Sequence, residues 1–149
     1  MINIVPAKPG DFPEVYALLC ELEERTLPKS ATLSVFEENL KSPHIHYLLA
    51  VCNNKIIGFG SIHIQHLLHH YGKVGEVQEL IITNDYQRNG VGDVLWNALK
   101  NVALQNGCNL LEVCCNRQRE RSHPFYEKNG MKCSHYKFTL EPNAERPLI

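Results

Sequence analysis

The sequence has no run near the roughly 18 consecutive apolar residues that a membrane-crossing helix needs, so no membrane partner is expected. Its start, Met-Ile-Asn-Ile-Val-Pro, lacks the basic stretch and the apolar region of a secretory leader, so export is not expected either. Neither sign of charge prevails. The 15 Lys and Arg against 16 Asp and Glu leave a formal net charge of -1, with no field to draw nucleic acid or an anionic membrane. The six cysteines show no CxxC spacing and lie at positions that read as strands or helices. They read as reduced thiols of a cytoplasmic protein rather than a disulfide or zinc framework. Internal repeats and low-complexity tracts are missing as well.

What is present is ordinary globular material, 149 residues with 44% apolar and 21% charged. The length suits a single domain over 1–149 with one sizeable core, and 141–149 reads as a tail. "INIVPA" reads as a first strand. Asp11, Pro13 and Glu14 mark a helix start with a capping box, and Phe12, Val15, Leu18, Leu19 and Leu22 share one helical face. A weaker helical pattern spans about 31 to 41. "HYLLAVCNNKIIGFGSIHIQ" is a hairpin turning at Asn53-Asn54, and "VGEVQELIIT" is a further strand. Val91, Val94, Leu95, Ala98, Leu99 and Val102 give a third helix ended by Gly107. "NLLEVCC" is a strand, 120 to 129 a short helix stopped by Asn129-Gly130, and "KCSHYKFTL" a last strand. The order β-α-α-β-β-β-α-β-α-β is mixed α/β.

Between strand and third helix lies Tyr86-Gln87-Arg88-Asn89-Gly90-Val91-Gly92. A helix beginning near Gly90 leaves its first N–H groups without intrahelical partners and turns the positive end of its dipole outward. Glycines let an anion approach that backbone closely, so the loop suits phosphate or diphosphate; a merely tight connection is the plainer alternative. No GxxxxGK[ST] exists, which removes a Walker loop. A dinucleotide fingerprint is disfavoured, because its third glycine is missing and seven residues separate Ile82 from Gly90.

Gln87-Arg88-Asn89-Gly90-Val91-Gly92 resembles the Q/R-x-x-G-x-G/A acetyl-coenzyme A motif of the GCN5-related N-acetyltransferase (GNAT) family. "LII" before it resembles that family's splayed strand, and "HPFYEKNGM" its downstream FY segment. The resemblance implies a mixed, mostly antiparallel sheet of six to seven strands flanked by about four helices. It also implies acetyl-coenzyme A as cofactor, transferring acetyl to a primary amine by direct attack in a ternary complex. Coenzyme-binding positions would be Leu80, Ile81, Ile82, Gln87, Arg88, Asn89, Gly90, Val91, Gly92 and Asn116, with the Leu80 amide favoured for the thioester carbonyl. Tyr126 matches the family's general acid and Glu76 the position of its glutamate base. Glu79 is the alternative base. Strand alternation puts Glu76 and Gln78 on one face and Glu79 on the other.

Four histidines, at 63, 66, 69 and 70, crowd one segment. They fit a hydrated strand end, a metal site joined by Glu76 or Glu79, or a pocket for an acidic substrate; His63, Gln65, His69 and Glu79 are the candidate substrate contacts. "VYALLCELE", "HIQ...LHH", "GEVQELII" and "SHYKFTL" are similar to family members that acetylate aminoalkylphosphonates. That likeness implies a small zwitterionic acceptor, a divalent metal ion and a homodimer. Protein or peptide acetylation, aminoglycoside or polyamine acetylation, and a non-catalytic acyl-coenzyme A binding regulatory module are the alternatives.

Overall fold

The computed structural model describes residues 1–143. They divide into two compact units, Met1–Val113 and the chain from Cys114 onward. In the first unit, β1 (Asn3–Pro6) leads through a 3-10 turn at Pro9–Asp11 to α1 (Phe12–Glu23) and α2 (Lys29–Leu40). Then follow β2 (Ile45–Cys52), β3 (Lys55–Leu67), β4 (Gly72–Ile82), α3 (Val91–Gln105) and β5 (Cys108–Val113). The strands form one sheet in the order β1-β2-β3-β4-β5, antiparallel except for the parallel pair β4 and β5. The mixed α/β class expected from the sequence is observed.

Local chemistry accounts for most boundaries. Asn53 (φ 50°) and Asn54 (φ 62°) are both left-handed, so the β2–β3 hairpin turns in two residues where the asparagines stand. Gly107 (φ 73°) follows α3 in the left-handed conformation. Pro13 stands in the first turn of α1, where its missing N–H costs nothing. Asp11 does not cap α1, however. Its carboxylate accepts the Lys8 N–H at 2.7 Å and closes the preceding 3-10 turn, a nearer donor winning over the helix amides.

Two apolar layers cover the sheet. On one face, Phe12, Val15 and Leu18 of α1 and Phe36 of α2 pack on Tyr47, Leu49 and Phe59. Rings run in sequence there: Phe12 lies 5.5 Å from Phe36, Phe36 stacks on Tyr47 at 5.5 Å, and Tyr47 meets Phe59 edge-on at 5.4 Å. On the other face, Val91 and Leu95 of α3 pack on Ala50, Ile57 and Ile82. Gly60 lets α3 approach, since a Cβ there would lie 2.9 Å from Leu99 and 3.3 Å from Leu95.

The second unit holds α4 (Ser122–Lys128), ended by Asn129 and by Gly130 at φ 87°. The expected last strand over "KCSHYKFTL" is not formed. The sheet therefore has five strands among the described residues rather than six to seven. Alternation of Tyr136, Phe138 and Leu140 gives that segment strand character, but a strand exists only through its ladder. No described residue pairs with it, and all three side chains are exposed. Of the expected tail, the part beyond residue 143 lies outside the described residues.

Candidate active site

The loop leaving β4 ends in an open helix terminus. Gly90 (φ 79°) precedes α3 and, as a glycine, brings no side chain of its own to cap the helix. The first intrahelical bond of the following turn is Val94 N–H to the Gly90 carbonyl at 3.2 Å, so the earlier amides lack intrahelical acceptors. Arg88 (φ 68°) is also left-handed, so the chain coils around its own amides before entering the helix. Nothing stands within 4 Å of a Cβ built on Gly90. The Gln87 amide turns inward, donating to the Ile82 carbonyl at 2.9 Å and to Asn84 Oδ1 at 3.1 Å, and so braces the loop. Glu21 of α1 braces it from below, accepting the Asn84 N–H at 3.1 Å.

The strand before the loop is half unpartnered. β5 pairs with β4 only from Lys73 to Val77, so Gln78–Ile82 has no strand on that side among the described residues. The Thr83 N–H donates to Ile57 of β3, and the Glu79 N–H to Ser61 of β3. Because amide direction alternates along a strand, the Leu80 and Ile82 N–H groups point away from β3 into the opened side. Ile82 is buried and Ile81 packs beneath α1, so these residues offer main chain rather than side chains.

A bulge changes the expected arrangement of carboxylates. Glu79 pairs with Ser61, Val77 with Ile62 and Glu76 with His63, which leaves Gln78 as an extra residue. The extra residue cancels the alternation over one step, so Glu76 and Glu79 lie on one face, with Ser61 and His63, instead of on opposite faces. Gln78 is extruded and exposed. Burial pushes the Glu79 carboxyl above the ordinary range, while the Ser61 hydroxyl and the positive field of His63 pull it back down and Glu23 adds to the rise. Ser61, fully buried, was not singled out by the sequence; a lone hydroxyl inside "GFGSIHI" is its only signal.

The remaining histidines do not join this group. Alternation sends His66 to the opposite face, and His69 and His70 sit in the 3-10 turn Leu68–His70 at the hairpin tip. There the two rings lie 4.1 Å apart, and His70 Nε2 meets Glu112 Oε1 at 3.6 Å. Gln65 and His69 are exposed. Among the described residues no three His, Cys, Asp or Glu side chains converge to hold a metal ion, so the residues present do not fit the expected divalent cation.

In the second unit, Tyr126 lies on α4, its ring 5.4 Å from Phe125 and edge-on to it. Burial, with the Cys115 thiol nearby, pushes its phenol up to about 12 despite the opposing Arg119 charge. It therefore keeps its proton throughout the neutral range. Asn116 uses its side chain locally, accepting the Gln118 N–H at 2.9 Å, while its carbonyl faces His123 Nε2 at 3.1 Å.

Among the described residues, then, the class of fold is a five-stranded mixed sheet whose fourth strand parts from β5 and runs through a glycine into α3. Residues 12–131 match the model of the Acetyltransferase (GNAT) family. The chain is 38% identical over 129 residues to the aminoalkylphosphonate N-acetyltransferase of Salmonella typhimurium, covering 87% of this chain and 84% of that one. Among solved structures it resembles a transcriptional regulator from Bacillus halodurans C-125 (TM-score 0.87, 21% identity, 95% and 99% of the two chains). It also resembles aminoglycoside N-acetyltransferase AAC(6')-Iy in complex with CoA (TM-score 0.85, 17% identity, 97% and 96%). The chain belongs to the GNAT family and is an N-acetyltransferase.

Proposed function

We propose that the two units act as one domain over 1–149 that moves an acetyl group from acetyl-coenzyme A to a primary amine of a small substrate, an aminoalkylphosphonate being the best-supported acceptor. The observation that carries this reading is the placement of the outward Leu80 N–H on the strand that feeds the glycine start of α3. The family match across both units supports a single domain, and the 38% relative supports the acceptor.

Acetyl-coenzyme A supplies the activated acyl group. The amides of Gly90, Val91 and Gly92, with the helix dipole, hold its diphosphate, and Arg88 and Asn89 shape that cradle. The Leu80 N–H donates to the thioester carbonyl, where negative charge gathers as the amine attacks. Glu76 takes the proton that an ammonium must lose; as the C–N bond forms and the C–S bond breaks, Tyr126, protonated at neutral pH, gives its phenolic proton to the departing thiolate and regains one from solvent. Ile81 and Ile82 hold the strand in place, Gln87 braces the loop, and Asn116 orders the turn before α4. His63 meets the substrate near Glu79; Gln65 and His69 are offered to it from the outer part of the hairpin. No step passes through a metal ion.

Free thiols at all six cysteines support a cytoplasmic setting, and no helix among the described residues is long and apolar enough to cross a membrane. Leu68 and Tyr71, nearly fully exposed at the hairpin tip, support association as a homodimer. Thiol release from acetyl-coenzyme A across a panel of amines tests the reading. The fastest release is expected with 2-aminoethylphosphonate, and slower release when the phosphonate is removed. Preference for a peptide amine or an aminoglycoside would overturn the acceptor class, and coenzyme binding without release would overturn transfer itself.

A further inference from the structure

Ser61 sits in the middle of β3 without exposed surface, in a stretch otherwise made of glycine and large apolar residues. A buried hydroxyl is retained at a cost unless it has partners. Both of its partners are on one residue. The Ser61 hydroxyl donates to Glu79 Oε2, and Ser61 Oγ accepts the Glu79 N–H at 3.1 Å. The amide occupies a lone pair of the serine oxygen, which leaves the hydroxyl proton to point at the carboxylate. The bulge at Gln78 brings this about, since it is the slip in register that sets Glu79 opposite Ser61 and on the face of Glu76 and His63.

We infer that Ser61 is a positioning residue of the acceptor site, holding the Glu79 carboxylate on the Glu76 face so that it meets the ammonium group of the incoming amine. This rests on the transfer reading given above and adds a division of labour to it, with Glu79 as the anchor for the cation and Glu76 as the proton acceptor. The surroundings of Glu79 are mixed. His63 on β3 favours the anion, Glu23 at the end of α1 opposes it, Tyr47 on β2 lies within its field, and Glu76 shares its strand and face. Desolvation works against ionisation as well, and the Ser61 hydroxyl, donating to Glu79 Oε2, is the neighbouring group that offsets it most.

The test is the pH profile of kcat/KM for 2-aminoethylphosphonate, followed by thiol release, in Ser61→Ala, Glu79→Gln and the double variant. Losing a donor to the carboxylate raises its pKa, so in Ser61→Ala the acidic limb moves upward by about one pH unit. KM for the amine should rise while the dissociation constant for coenzyme A stays at the wild-type value. Glu79→Gln keeps the shape and the bond from Ser61, and should raise KM for the amine and leave only the acidic limb that Glu76 sets; adding Ser61→Ala to it should then move that limb no further. A purely structural serine would lower the melting temperature without moving the limb. An acidic limb that is unmoved in Ser61→Ala, a limb that Ser61→Ala still moves in the Glu79→Gln background, or a KM for the amine that is unchanged in Glu79→Gln, overturns the inference while turnover stands. Wild-type protein that releases no thiol with any amine overturns the transfer reading instead. If Ser61→Ala does not fold, Glu79→Gln decides alone.

Discussion

Gly90→Asp separates what the loop does for the fold from what it does for the ligand. The left-handed φ of 79° costs a non-glycine residue about 1 kcal/mol, and aspartate is among those that bear it best. Nothing within 4 Å obstructs the new Cβ, so no packing penalty is added. A carboxylate at the start of α3 also gains roughly 0.3–1 kcal/mol from the helix dipole. The melting temperature should therefore fall by no more than about 2–4 °C. Binding should suffer far more. A carboxylate about 4 Å from a bound phosphate is repelled by about 4 kcal/mol at an effective dielectric constant of 20. That is a loss of roughly a thousandfold in affinity, before counting its competition for the same amides. Calorimetric titration with coenzyme A, beside thermal melts of the same preparations, measures both quantities. Gly90→Ala, with similar strain and no charge, should lose much less affinity. Equal affinity in wild type and Gly90→Asp, or equal losses in the two variants, would refute the electrostatic placement of the diphosphate.

Tyr126→Phe should lower kcat by about a hundredfold, the lower range of general-acid contributions, and leave coenzyme affinity nearly unchanged, as stopped-flow kinetics and calorimetry would show. The same phenol has a folded-state pKa of about 12 against the ordinary 10.0, so its contribution to stability is intact below pH 10.0 and lost as pH rises through about 12. Melting curves of Tyr126→Phe should consequently lose less on that alkaline side than wild type. Glu79 is also raised in the folded state, from 4.5, so its contribution is present below pH 4.5 and fades as pH rises through the folded value. Glu79→Gln should therefore gain melting temperature relative to wild type above that window and not below it. Gly60→Ala should cost about 1–3 kcal/mol in denaturant unfolding, because its Cβ would press on Leu95 and Leu99 of α3.

Features set by one or two adjacent residues were legible before any coordinates. Asn53-Asn54 permits the left-handed turn by its own chemistry, Gly107 and Gly130 stop their helices in the same way, and the glycine loop announces an open helix start. Features set by partners were not. The bulge at Gln78 depends on how β3 and β4 settle their register, and strict alternation therefore parted Glu76 from Glu79. Ser61 acquires its meaning only once Glu79 stands opposite. Asp11 had two sets of amides within reach, and the 3-10 turn took it from the helix. The alternation of Tyr136, Phe138 and Leu140 describes a strand face, whereas a strand also needs a neighbour. Histidines adjacent in sequence were dispersed by strand alternation and by the turn at Leu68–His70.

The most direct check is an amide NMR titration of the purified chain with coenzyme A. The Gly90, Val91 and Gly92 signals should shift the most and exchange more slowly with solvent, because their N–H groups gain acceptors on the diphosphate. Saturable binding that leaves those three amides unmoved would place the coenzyme elsewhere and contradict the central claim.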